Sequence, residues 1–344
     1  MAPSATEPAV EATQGFYSKL KTSVSTKASL EQAIREKDLV PLWNIGGPST
    51  PVGPPGKHIP AVWKYDDTKS LLLRAADIVD PREAERRAVL MINPGPKHTP
   101  FTLHCLLAAH QLILPGERAV CHRHTPFAVR FLIEGDAGYT AISGKKMYMK
   151  PGDLIITPVW NWHDHGNEGT NNVIWLDGLN IPLFKHIPVD FTEHHLEEYG
   201  VDTHESKTAS DSEAADMKFP WSKTQARLDA PGGDYSSLEY LLPSGKSVST
   251  TIGAYAHRIA AGKASPPVQE TAGNIFQVHA GRGYTEVTSP AGETTRLGWG
   301  RGDSFTVPPW HMFQNFAEEG EDAYLFGFSD RPMQVNLGFW RAKE

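Results

Sequence analysis

Little in this chain points to an extracellular or membrane setting. Its 344 residues include two cysteines, Cys105 and Cys121, too few for a disulfide framework. No run of about 18 apolar residues offers a membrane span. The opening MAPSATEPAVEATQGF lacks the basic start and apolar centre of a secretory signal. A reducing, cytoplasmic location with free thiols is therefore expected. Cationic excess is also missing: 33 Lys and Arg against 40 Asp and Glu give a formal net charge of −7, which argues against a nucleic-acid partner. What the chain does have is turn formers, 30 Gly and 27 Pro, set between short runs rich in Val, Ile, Phe and Trp. That pattern favours an all-β core.

Residues 1–15 are small and polar without periodicity and are expected to be disordered. Helical spacing follows from Gly15 to Asp38, with Ser29 as cap of LEQAIREKDL and Gln32 at the capping-box position. Proline and glycine then break PLWNIGGPSTPVGPPGKHIPAVWKY into an extended arm, fit to lie over a barrel or a neighbouring subunit. Helices are expected over LLLRAADIV and from Pro81 in PREAERRAVLMINPG. From about His104 strand-like runs alternate with turns as in a small barrel or jelly roll. KHIPVDFTEHHLEEYG reads as leaving that barrel with a helical turn. Residues 201–233 are polar and read as a linker with a short helix over TQARLDA. Strand rhythm then resumes to the C-terminus. The expected organisation is a disordered 1–15, an arm over 16–100, a metal-binding barrel over 101–200, the linker, and a second, metal-free barrel over 234–344.

The most informative stretch is LPGERAVCHRHTPFAVRFLIEG, Leu114 to Gly135. In a strand, His122 and His124 project to one face. Two neutral imidazoles so placed suit a divalent transition metal, and His163 in PGDLIITPVWNWHDHGN offers a third. The chain also contains its own control. Without a gap, LPGERAVCHRHTPFAVRFLIEG lies over IAAGKASPPVQETAGNIFQVHAG, with Gly116 on Gly262 and Gly135 on Gly281. PGDLIITPVWNWHDHGN lies over RGDSFTVPPWHMFQNFA, with Gly152 on Gly302 and Trp160 on Trp310. The three histidines face Val268, Glu270 and Phe313, so the fold does not require them. Glu270, His257, His279 and His311 remain the candidates for any site in the second copy.

These residues resemble the two motifs of the cupin superfamily, G-x5-H-x-H-x3,4-E-x6-G and G-x5-P-x-G-x2-H-x3-N. Gly116, His122, His124 and Gly135 meet the first, with Ala128 where the family has glutamate. Gly152, Pro158, His163 and Asn167 meet the second, with Trp160 in the glycine position. Two barrels, three histidines and the HRHTPFAVRF and WLDGL segments look like the gentisate, salicylate and 1-hydroxy-2-naphthoate 1,2-dioxygenases. The resemblance implies two cupin barrels behind a helical and extended arm, assembled as a homotetramer. It also implies Fe(II) on His122, His124 and His163, and O2-dependent opening of an aromatic ring between its carboxyl- and hydroxyl-bearing carbons.

Gentisate is the expected substrate; salicylate, a substituted salicylate or 1-hydroxy-2-naphthoate would undergo the same chemistry. Arg130 alternates inward and suits a substrate carboxylate, as does Arg86 by its match to the family's second arginine, although adjacent Arg87 competes for that register. Gln111 is expected to hydrogen-bond substrate or oxygen. Trp175 is expected in the pocket wall or core, Asp177 on a ligand histidine or substrate hydroxyl, and His165 beside His163. Before Gln111, where relatives are small or glycine-rich, Leu107 and Ala109 line the ring pocket. The alternative from another class is a non-enzymatic bicupin binding protein.

Overall fold

The computed structural model describes residues 24–44, 56–79, 87–96, 100–195 and 206–343. Residues 1–55 form one unit and 56–344 another. In the first, helix α1 spans Lys27–Arg35. Thr26 is its cap, accepting from the Ser29 backbone N–H at 3.1 Å while Ser29 Oγ accepts from Thr26 N–H at 3.1 Å. Ser29 is therefore not the cap but the third helical residue. Thr26 wins because its extended backbone leaves it outside the helix with its hydroxyl turned back. The expected start at Gly15 and the disordered 1–15 lie outside the described residues.

The second unit is strand-rich, as expected. In chain order it contains β1 (Ala61–Trp63), helix α2 (Tyr65–Ile78), β2 (Arg87–Leu90), β3 (Leu107–Ile113), β4 (His122–His124), β5 (Ala128–Glu134), β6 (Gly138–Ile142) and β7 (Lys145–Tyr148). Next come β8 (Leu154–Thr157), β9 (His163–Asn167), β10 (Val173–Leu179), β11 (Thr192–His194), β12 (Lys207–Thr208), β13 (Lys218–Phe219) and helix α3 (Trp221–Asp229). Then follow β14 (Tyr235–Glu239), β15 (Gly253–Ile259), β16 (Val268–Gln269), β17 (Asn274–Ala280) and β18 (Gly283–Thr288). The unit closes with β19 (Thr294–Trp299), β20 (Ser304–Val307), β21 (Met312–Ala317), β22 (Ala323–Ser329) and helix α4 (Arg331–Asn336).

Two barrels result. The first pairs the sheet β13-β8-β5-β10-β3-β2 with β11-β4-β9-β6-β7-β12; the second pairs β1-β20-β17-β22-β15-β14 with β16-β21-β18-β19. The repeat read from the sequence is the repeat of the structure. Gly116, Gly262, Gly135 and Gly281 all have positive φ, and Trp160 and Trp310 share φ of 63° and 62°. The motif's glycine position thus keeps its left-handed backbone although tryptophan occupies it, a conformation that costs a bulky residue energy.

Three expectations give way. Pro81 lies outside the described residues, but Arg87–Leu90 is strand β2, not helix, because its backbone pairs with β3. After a helical turn at Ile181–Lys185, Thr192–His194 is not helical either; it is edge strand β11, paired to the His-Arg-His strand. The described part of the expected linker carries strands β12 and β13 and buries Ala214, Met217, Trp221 and Leu228 in the core, while the short helix expected over TQARLDA is present within α3.

The arm and the expected linker are exchanged between barrels. The arm before the first barrel gives β1 to the second, where Ala61–Trp63 pair with Thr306–Ser304. The segment before the second barrel gives β13 to the first, where Lys218 pairs with Ile155. The helices behind them dock alike: Tyr65 N–H donates to Asp303 Oδ1 at 2.9 Å, and Trp221 N–H to Asp153 Oδ1 at 2.9 Å. Gly302 and Gly152 make room, since a Cβ at either would stand 2.6 Å from the Tyr65 or Trp221 side chain.

Between the barrels lies one continuous core in which Leu106, Phe131, Ile155 and Leu176 meet Ala254, Ala256, Ile275 and Phe326. Phe131 stacks on Phe326 at 4.6 Å. His110 crosses this seam, its Nδ1 2.8 Å from Thr68 Oγ1 and its Nε2 3.2 Å from Gln277 Oε1.

Candidate metal centre

Strand alternation puts His122 and His124 inside the first barrel, and antiparallel pairing sets His163 directly opposite His122. One ring nitrogen from each lies within 4.8 Å of the other two, and all three side chains are buried. Each Nδ1 contacts a backbone carbonyl two residues away at 2.8 Å: Val120, Pro126 and Asn161 respectively. A carbonyl only accepts, so Nδ1 carries the proton and Nε2 presents its lone pair. Burial, reinforced by the facing His122 and His124, pushes His163 down to about 2, so its imidazole is neutral, the ligating form. This donor set fits a divalent transition metal. Ala128, buried where the motif has glutamate, adds no carboxylate. Arg123, the middle residue of the triplet, faces outward, bonded to Glu193 and packed over the Trp160 and Trp162 rings at 4.5 Å.

Behind the histidines runs a buried polar chain. Arg130 Nη2 lies 2.8 Å from Asp177 Oδ1, and both side chains are more than nine-tenths buried. Arg130 Nη1 donates to Thr140 Oγ1 and to His165 Nδ1, each at 3.1 Å. The ring of His165 lies 5.3 Å from that of His163. Trp175 Nε1 donates to Asp177 Oδ2 at 2.9 Å, and the Arg130 guanidinium covers the indole at 4.9 Å. Asp177 therefore serves Arg130 and Trp175 rather than a ligand histidine, because β5–β10 register sets Asp177 opposite Arg130. Trp175 is fully buried and belongs to the core beneath the site, not to an open pocket wall. Thr140 escaped the sequence reading; its only sign there is its place inside the buried run GYTAI.

Leu107, Ala109 and Gln111 alternate to the barrel interior, opposite Leu179, Asp177 and Trp175. Gln111 is buried. Arg86 lies outside the described residues. Its neighbour Arg87 is paired with Glu117 at 2.5 Å. Asn167 holds the following turn, its Nδ2 donating to Ile113 and Asn171 carbonyls. The two cysteines are free, and no helix among the described residues is long and apolar enough to cross a membrane.

In the second barrel Val268 pairs with Phe313, the same register as His122 with His163. Of its four candidates, Glu270 and His257 line one cavity. His279 packs instead on Trp221 at 4.1 Å, and His311 Nδ1 turns to the Pro309 carbonyl.

Residues 109–179 match the family model described as "Cupin domain". The chain is 30% identical to gentisate 1,2-dioxygenase 1 of Aquipseudomonas alcaligenes over 95% of this chain and 94% of that protein. It is 29% identical to 5-aminosalicylate 1,2-dioxygenase of a Comamonas species over 91% and 89%. The structure of salicylate 1,2-dioxygenase from Pseudoaminobacter salicylatoxidans as an adduct with gentisate superposes with a TM-score of 0.82 at 29% identity, covering 93% of this chain and 94% of that one. Similarity over nearly the whole length, together with the three-histidine cluster, makes this chain a member of the bicupin gentisate, salicylate and 1-hydroxy-2-naphthoate 1,2-dioxygenases, the ring-cleaving dioxygenases.

Proposed function

We propose that this enzyme opens the ring of gentisate between its carboxyl- and hydroxyl-bearing carbons, using Fe(II) held by His122, His124 and His163. The observation that carries the reading is the three-histidine cluster backed by the buried Arg130–Asp177 pair. Iron held by these histidines would supply the Lewis-acid and redox chemistry by which O2 adds to the ring, both of its atoms entering the ring-opened keto diacid. Three neutral ligands leave the metal's full positive charge facing an anionic substrate, which a ligating glutamate at Ala128 would have reduced.

The remaining work belongs to the chain. Arg130 directs its guanidinium at the substrate carboxylate from a seat fixed by Asp177 and Thr140. A pre-organised fork loses little freedom when the anion arrives. His165, bonded to Arg130, sets the polarity beside His163. Gln111 supplies an amide to the substrate hydroxyl or oxygen, and Leu107 and Ala109 limit ring size. Arg86 is assigned as the second contact to the carboxylate. Assembly as a cytoplasmic homotetramer belongs to the same reading; light scattering on the purified protein tests the subunit number.

An O2-uptake panel tests the proposal. Fe(II)-loaded protein should consume O2 with gentisate fastest, and one equivalent per ring. If salicylate, a substituted salicylate or 1-hydroxy-2-naphthoate were faster, the chemistry would stand and the substrate would change. Absence of uptake with every one of them would favour a non-catalytic binding protein.

A further inference from the structure

The second barrel has kept a hollow interior. A cavity of about 340 Å³ falls in the size range of small-molecule sites, roughly 300–1,000 Å³. Val268, Glu270 and Phe313, the counterparts of the three histidines, line it. So do His257, Phe276 and Gly327, which the alignment places over Gln111, Arg130 and Asp177. At matching positions the second copy thus has neither the three histidines nor the Arg130–Asp177 pair, and a lone carboxylate, Glu270, stands where His124 stands in the first. A glycine at 327 keeps that space open, because a Cβ there would stand 3.1 Å from the Phe276 ring and 3.6 Å from His257 Nε2.

We infer that this cavity is a second binding site, for an uncharged monocyclic phenol or aromatic alcohol, with the ring against Phe276 and Phe313 and the hydroxyl on His257 Nε2. The two phenylalanine rings stand 5.7 Å apart and tilted by 60°, a corner that offers an incoming ring one face and one edge. His257 lies 5.7 Å from Phe276. Its Nδ1 is already taken by Tyr235 Oη at 2.8 Å. Nε2 makes no hydrogen bond among the described residues. Either tautomer is available to Nε2, and a hydroxyl answers both, since it donates and accepts.

Charged ligands are disfavoured by the same lining. No cation stands where Arg130 stands in the first barrel. At the rim, Arg331 Nε lies 3.7 Å from Glu270 Oε2, and its guanidinium packs over Trp340 at 4.5 Å. With Glu239 also in the lining, the formal charge is negative, which opposes a carboxylate. An ammonium fares no better. Glu270 already accepts from Asn274 Nδ2 at 3.2 Å and Trp340 Nε1 at 2.8 Å, and Glu239 from Ser247 Oγ at 2.5 Å. A metal would find Val268 and Phe313 at two of the three positions that hold donors in the first barrel, which leaves it short of ligands.

Fluorine NMR titration of the full-length iron-loaded enzyme, kept anaerobic, tests the site with 4-fluorophenol, 4-fluorobenzoate and 4-fluorobenzylamine. The expected result is a saturable 4-fluorophenol component that Val268→Trp abolishes by filling the cavity. His257→Phe should weaken it by about three- to tenfold, the worth of one net hydrogen bond. Neither variant should alter any binding of the acid or the amine. If Val268→Trp does not fold, His257→Phe decides. A phenol affinity unchanged in a folded variant, or an acid or amine component lost with Val268→Trp, would overturn the inference.

Discussion

Replacing Asp177 by asparagine should be among the most damaging isosteric changes available to this chain. The carboxylate lies 2.8 Å from a guanidinium with only 3% of the Arg130 side chain and 8% of the Asp177 side chain exposed. Asparagine keeps the volume and can still accept the Trp175 indole N–H, so packing changes little. The charge does change, leaving the buried Arg130 without its carboxylate and against neutral groups that include Thr140 and His165. Removing one partner of a buried pair costs about 3–5 kcal/mol, so Asp177→Asn should lose about that much. Arg130→Met should cost a similar amount by stranding the carboxylate. The double variant Arg130→Met/Asp177→Asn should recover most of the loss, because neither charge is then buried alone. Urea unfolding followed by tryptophan fluorescence measures all four proteins and yields the coupling energy. A single variant within about 0.5 kcal/mol of the parent, the size of an ordinary surface change, would refute the buried-pair account. So would a double variant equal to the sum of the singles. Iron retention should survive in Asp177→Asn while kcat/KM falls, since the ligands are untouched and the carboxylate contact is not.

His122→Ala or His163→Ala should each abolish stoichiometric iron retention, read by metal analysis after gel filtration; full iron in either would remove that residue from the ligand set. His110, buried at the seam, has its pKa lowered to about 4 by burial. Above pH 6.5 it is neutral whether folded or unfolded. Below 6.5 the unfolded chain binds a proton that the folded one refuses, so stability should fall by about 1.4 kcal/mol per pH unit until about pH 4. Urea midpoints across that window should show a shallower slope in His110→Gln, and equal slopes would exclude His110 as a source. Gly152→Ala should destabilise by more than about 1 kcal/mol, because φ is +90° and the new Cβ would collide with Trp221. An unchanged melting temperature would mean that α3 does not sit where described.

The three histidines were legible because ligation demands a residue type, a strand spacing of two and a nearby third donor, all local properties. The repeat was legible for a similar reason: turns needing left-handed backbone recur at fixed offsets. The partner of Asp177 was not. Arg130 and Asp177 are 47 residues apart, and only the β5–β10 register brings them together. Thr140 joined the site the same way, through its pairing with His165. Strands β1, β11, β12 and β13, two or three residues each, are too short to show a period. Their edge pairing is decided by neighbours distant in sequence. Thr26 displaced Ser29 as a cap by a choice of backbone angle that composition does not reveal.

The exchanged arms carry a consequence for how this duplication can be taken apart. Each copy encodes, upstream of its own barrel, the strand and helix that finish the other. A break anywhere in residues 201–205 would yield two fragments, each bearing the wrong end-piece and lacking the right one. Neither fragment would be a smaller version of the whole. Mixed together, they would have a reason to find one another, each supplying the missing edge of its sibling. Each barrel is thus needed to finish the other, which holds the second copy in place by assembly rather than by chemistry and leaves its interior open to change.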